Sequence, residues 1–202
     1  MELCCSNFRD IILEATSTEG TGWICSFCSL SMPHVHAHRA ILSSCCDYIR
    51  ALFQSGMQES RSQSLKVPVS WKALYKVVIW MYSYDMPKPV SGCLWANMDL
   101  QQKISELQPY IELCWLAEFW FLDDVEKECS LVITSSLDSP KLAIKVIEYA
   151  ANLSRWELVD VAANKIAPAY RSLHSSGALD DLDEALVEMI RLASVQLSQE
   201  SL

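Results

Sequence analysis

The side chains most able to do chemistry crowd into one stretch, where Cys25-Ser26-Phe27-Cys28 is followed by His34, His36 and His38. Thiolate and imidazole are the donors of a tetrahedral zinc site, but a metal knuckle needs a turn between its two cysteines. Read as a strand, this segment points residues three apart to opposite faces, and no second Cys-x-x-Cys completes the donor set. Cys45-Cys46, shortly after His38, raises a second chemistry: a thiolate activated by imidazole. No orienting Asn or Asp and no oxyanion motif accompanies it, and a buried cysteine usually behaves as a small hydrophobe. The chain has only five glycines and carries no phosphate-cradling loop, nucleophile elbow or metalloprotease helix. The sequence therefore predicts no catalytic residue, no cofactor and no metal, and a cysteine-dependent or zinc hydrolase is set aside.

Composition narrows the remaining classes. A chain of 202 residues that is 51% hydrophobic can bury a substantial core and suits one or two domains. The net charge of −9 repels phosphate backbones and anionic lipid heads, so nucleic acid is not an expected partner. Every long apolar stretch is broken by charge, as Glu112 and Glu118 break Ile111 to Leu122, and the first residues lack a basic segment followed by an apolar one. Neither a membrane span nor export is expected. Nine cysteines, an odd number, fit reduced thiols in the cytosol or nucleus.

The elements that must position these side chains read as a mixed first part and a helical second part. Phe8 to Ala15 and Trp23 to Leu30 suit two antiparallel strands around the turn-forming run 17–22. Tyr48, Ile49, Leu52 and Phe53 share a helical face, and Leu74, Val77, Val78, Met81 and Tyr82 repeat the spacing behind a Ser70 cap. Leu65-Lys66-Val67 reads as a short strand between them. The period disappears over 83–103, where Pro87, Pro89 and Gly92 predict a long loop, and Pro109 suits the first turn of the next helix. Ile111, Leu113, Cys114, Trp115, Leu116, Ala117 and Phe119 surround that helix, predicting a central core element; Asp123 with Glu126 suits the cap of the one after it. Further on, Ser139-Pro140 reads as a helix start, Ser154 with Glu157 as a capping box, Pro168 as a break, and Asp180 or Asp181 as the last cap. Trp80 falls off its helix's apolar face and is a candidate exposed aromatic; Trp71, Trp95, Trp120 and Trp156 add further large rings.

The run from His36-Ala37-His38-Arg39 through Tyr48-Ile49-Arg50-Ala51-Leu52-Phe53 to Gly56-Met57-Gln58-Glu59-Ser60, continued by 64–68, Met81-Tyr82 and 111–129, resembles a BTB/POZ domain. The resemblance implies an α+β fold, a small sheet flanked by helices over residues 7–137. A helical extension similar to a BACK region follows over 138–202. Departures are Cys46-Asp47 where the family has a capping serine, with Asp47 expected to cap, and Ile49 in place of phenylalanine. Together with Trp71, Trp95 and 110–120, the pattern looks like the C-terminal part of a plant BTB/POZ protein with armadillo-like repeats.

The resemblance also implies function. Met57, Gln58 and Glu59 match the loop that cullin 3-binding members insert against the cullin, which makes this chain similar to a substrate-specific adaptor of a cullin 3-RING ubiquitin ligase, its substrate unknown. Asp10 and Arg39 match a charge pair near the dimer interface, implying a homodimer. The alternatives are a surface turn for the first, a purely structural ion pair for the second, and a self-associating scaffold or corepressor module for the whole.

Overall fold

Ile11–Ser17 forms the first strand, β1, because Ile11, Leu13 and Ala15 alternate with more exposed residues and are themselves almost fully buried. The computed structural model describes residues 10–17, 25, 28 and 33–200. Its sheet has the order β2-β1-β3, with β2 at His34–Ala37 and β3 at Ser64–Ser70. β1 runs antiparallel to β2, setting Ile12 opposite His36 and Glu14 opposite His34, and parallel to β3. Pro68 lacks the ladder donor of a central strand, and it sits exposed on the edge strand β3, where the register with β1 shifts.

The expected second strand at Trp23–Leu30 is not the partner of β1. The strand paired with β1 starts at His34, and Cys25 and Cys28 belong to no strand. The other residues of that stretch, and Phe8 and Arg9 of the expected first strand, lie outside the described residues.

Two short helices follow, α1 (Arg39–Cys45) and α2 (Asp47–Gln54), burying Leu42 and Ile49. Asp47 does not cap α2: it stands in the first turn, where its charge favours the helix N-terminus, and binds Arg50. After the single turn α3 (Gln58–Arg61) and β3, the helix α4 (Trp71–Ser83) starts where Ser70 Oγ accepts from the Ala73 N–H at 3.3 Å. α4 packs on all three strands. Trp80, expected as an exposed aromatic, is 5% exposed. The reason is that α4 buries two stripes, Leu74-Val78-Met81 and Ala73-Val77-Trp80, so that its apolar face is wider than one stripe suggests.

The expected loop over 83–103 holds a helical turn, α5 (Cys93–Ala96), and the start of α6 (Leu100–Trp120), so Pro109 lies inside a helix of 21 residues instead of opening one. Ile104, Leu107, Tyr110, Ile111, Leu113 and Cys114 of α6 are buried, but Phe119 is 53% exposed, against expectation. α7 (Asp123–Ser136) opens with Asp123 already in its first turn. Backbone compactness divides the chain into two units, Met1–Pro87 with Leu116–Lys127, and Lys88–Trp115 with Glu128–Leu202.

The second unit is helical. Ser139 caps α8 (Pro140–Asn152) with proline in its first turn, as the sequence predicts. Ser154 forms no capping box; it takes a left-handed φ of 57° and Arg155 stands at the N-cap of α9 (Trp156–Ile166). Pro168 breaks the chain into a 3₁₀ turn before α10 (Tyr170–Ser175). α11 (Glu184–Glu200) is capped by Asp183, whose carboxylate accepts from the Ala185 N–H at 2.9 Å, and not by Asp180 or Asp181. Leu142, Val146, Ile147 and Ala150 of α8 are buried, as are Val159 and Ala162 of α9 and Ile190 of α11. No helix among the described residues is long and apolar enough to cross a membrane.

Candidate protein-docking surface

The turn between α2 and α3 presents side chains outward while its backbone stays satisfied. Gly56 has a φ of 72°, a left-handed conformation that glycine adopts without a Cβ penalty. Ser55 Oγ accepts from the Met57 N–H at 3.1 Å, and Ser60 Oγ donates to the Met57 carbonyl at 2.6 Å. Met57 is 65% exposed, and Gln58 and Glu59 are exposed beside it. Such a large apolar side chain on a pinned turn is suited to entering a partner's pocket with a carboxylate at the rim.

Arg39 anchors this turn. Its guanidinium donates to the Ser60 carbonyl at 2.9 Å and to the Ser62 carbonyl, and lies 4.4 Å over the Phe53 ring. Asp10 and Arg39 are brought together, but with a different geometry from a side-chain charge pair. The exposed Asp10 carboxylate accepts from the Arg39 backbone N–H at 2.7 Å, capping α1, whose own N-cap residue His38 contributes no side-chain cap. The guanidinium reaches only the Asp10 backbone carbonyl, at 3.5 Å. Asp10 is thus an exposed long-range cap instead of one half of a side-chain charge pair.

The thiol-imidazole arrangement expected of a cysteine nucleophile does not form at Cys45-Cys46. His38 Nδ1 pairs with the Tyr82 hydroxyl at 2.6 Å. Cys45 donates to the Met81 carbonyl at 3.1 Å, and the buried Cys46 thiol lies 3.6 Å from the Trp120 carbonyl. Burial pushes the Cys46 thiol above its ordinary range, which disfavours the thiolate.

Sequence reasoning missed two aromatic residues at the end of α6. Phe119, with its ring 5.3 Å from that of Tyr48, is half exposed, and Phe121 is 75% exposed. Phe121 adopts a φ of 57°, and the Leu122 N–H closes on the Ala117 carbonyl at 2.8 Å, which makes it the left-handed residue of a helix C-terminus normally given to glycine. The available signal was Phe121 in such a position, but its backbone conformation is set only by the tertiary arrangement. Of the other rings, Trp120 is buried and Trp156 is 51% exposed. The Trp95 indole donates to Asp138 at 2.9 Å.

The family model for the BTB/POZ domain matches residues 28–136, more than half of the chain. The chain belongs to the BTB/POZ family. A BTB/POZ domain-containing protein of Arabidopsis thaliana is 51% identical over 195 residues, covering 96% of this chain and 20% of that relative. Kelch-like protein 26 of Mus musculus is 32% identical over 83 residues, covering 39% of this chain and 13% of its own length. Kelch-like protein 22 of Homo sapiens is 29% identical over 60 residues, 29% of this chain and 10% of that protein. The chain thus spans about a fifth or less of these relatives. As a BTB/POZ domain with a small sheet and a helical continuation, it is a protein-interaction module.

Proposed function

We propose that the BTB/POZ domain, over residues 7–137, is a non-catalytic adaptor that docks on a cullin 3-type scaffold through Met57, Gln58 and Glu59. The BACK-like helices of 138–202 extend the docking element. The observation that carries this reading is the 65% exposed Met57 on a turn whose backbone is held by Ser55, Ser60 and Arg39. Preorganisation of that kind lowers the ordering cost of binding. A substrate held elsewhere in the assembly is brought within reach of the ligase by raised effective concentration, in the cytosol or nucleus. The Kelch-like relatives support the adaptor class.

The test is a binding titration of purified cullin 3 against the wild-type chain and the double variant Met57→Ala/Glu59→Ala. Loss of a central apolar anchor and its rim charge weakens binding by about tenfold or more. Equal binding of the two proteins, or none by either, overturns the reading. Light scattering on the same samples measures self-association, and Asp10→Asn that leaves the mass of a homodimer unchanged removes any dimer role from Asp10.

A further inference from the structure

We infer that Cys25, Cys28, His34 and His36 form a structural zinc site that staples Cys25 and Cys28 to the face of the edge strand β2 turned away from the core. The grounds that set aside such a site in the sequence do not hold in the fold. Cys25 and Cys28 lie outside any strand, so strand alternation does not separate them. His34 and His36 are two apart on β2, which sends both imidazoles to one side, away from Val35 and Ala37 in the core. The two histidines supply what a second Cys-x-x-Cys would have contributed.

The donors converge. Cys28 Sγ is 3.1 Å from His34 Nε2, Cys25 Sγ is 3.5 Å from His36 Nε2, and one ligand atom from each of the four residues lies within 4.8 Å of every other. Zinc bonds of about 2.3 Å to sulfur and 2.0–2.1 Å to nitrogen, arranged tetrahedrally, place neighbouring donors roughly 3.3–3.8 Å apart. The 3.5 Å pair falls in that range, the 3.1 Å pair just below it, and the remaining pairs lie within 4.8 Å, so small side-chain shifts bring all four donors onto one ion. Two thiolates and two neutral imidazoles are the donor set that favours zinc, and two thiolates cancel its charge. Four protein ligands leave no open position, so the site is structural and not hydrolytic.

Burial agrees with this. His34 is 3% exposed although it faces away from the core, and Cys25, Cys28 and His36 are half buried around it. An imidazole enclosed on that face is screened from solvent, as a ligand of a structural ion is. The ion would tie Cys25 and Cys28 to β2 and so add a cross-link to a small three-stranded sheet.

The test is metal analysis of the purified chain, followed by removal of metal under reducing conditions and titration with Zn²⁺ and with Co²⁺. The expected results are about one zinc per chain and a Co²⁺ form with the intense visible bands of tetrahedral coordination and thiolate-to-metal absorption in the near ultraviolet. Cys25→Ser/Cys28→Ser abolishes the thiolate absorption and lowers Zn²⁺ uptake by about tenfold or more, whereas Cys93→Ser, at an exposed cysteine outside the cluster, leaves both intact. The Co²⁺ spectrum of the wild-type chain decides the matter even where the double variant does not fold. Absence of stoichiometric uptake by the wild-type chain, an octahedral Co²⁺ spectrum, or a signal lost in Cys93→Ser overturns the assignment.

Discussion

The Met57 turn and the Cys25-Cys28-His34-His36 cluster use opposite geometries. In the turn, Ser55, Ser60 and Arg39 satisfy the backbone and leave Met57 65% exposed, with the exposed Gln58 and Glu59 beside it. In the cluster, two cysteines outside any strand and two histidines of β2 bring their ligand atoms together, and the most enclosed of them is a histidine at 3% exposure. Outward side chains on a rigid backbone suit recognition of another protein. Inward donors with matched spacing suit an ion. The lesson is that residue type alone does not separate the two; direction and burial do.

That contrast can be broken by substitution, and the largest effect is expected at the cluster. Cys25→Ser/Cys28→Ser, or stripping metal with a chelator, should lower the melting temperature by about 10 °C or more if the ion contributes several kcal/mol of folding energy. Met57→Ala should leave the melting temperature within about 2 °C in the same calorimetric scan, because an exposed side chain has little packing to lose. Its effect belongs to binding, a loss of about tenfold in cullin 3 affinity by titration.

Arg39→Ala sharpens the comparison from within the turn. It removes charged donors to the Ser60 and Ser62 carbonyls and the contact over Phe53, and chemical denaturation should register about 1.5–3 kcal/mol. Arg39→Lys should recover only part of this, since a single ammonium cannot reproduce the planar fork. Gly56→Ala is smaller: a Cβ there meets nothing within 4 Å, so the cost of about 1 kcal/mol comes from the φ of 72° alone.

The weakest effect is expected at a polar clip in the helical unit. Lys103 Nζ lies 2.5 Å from Asp138, and that hydrogen bond holds the Asp138 carboxyl below the usual carboxylate range. A depressed folded-state value contributes stability that is present above the unfolded-state value and is lost as the pH falls through the folded one. Asp138→Asn should therefore be slightly less stable than wild type at neutral pH, with the difference starting to shrink as the pH falls below about 4 and disappearing only below the depressed folded-state value in denaturation curves. Salt should shrink it as well, because the carboxylate side chain is 39% exposed.

Local signals were legible where a few adjacent residues decide the conformation. Ser70 and Ser139 cap the helices after them because a hydroxyl needs only the next turn's N–H, and the Gly56-Met57-Gln58-Glu59 run was readable as a turn through its likeness to the BTB/POZ pattern. The BTB/POZ pattern was legible as a composite from 36–129, since its apolar spacing is carried by the chain itself. Where a cap could come from several nearby acids, as at 180–183, the nearest hydrogen bond chose Asp183.

The sequence by itself determined the mixed first part and the helical second part, because those rest on periodicity and on contacts between residues close in the chain, while the Met57 turn was marked by its resemblance to the BTB/POZ pattern. Tertiary structure decided that Trp80 is buried, that Asp10 caps α1 across 29 residues, that Phe121 takes a left-handed backbone, and that two cysteines meet two histidines. Each of those depends on where a distant segment comes to lie against the residue in question, and no local pattern records the direction from which it arrives.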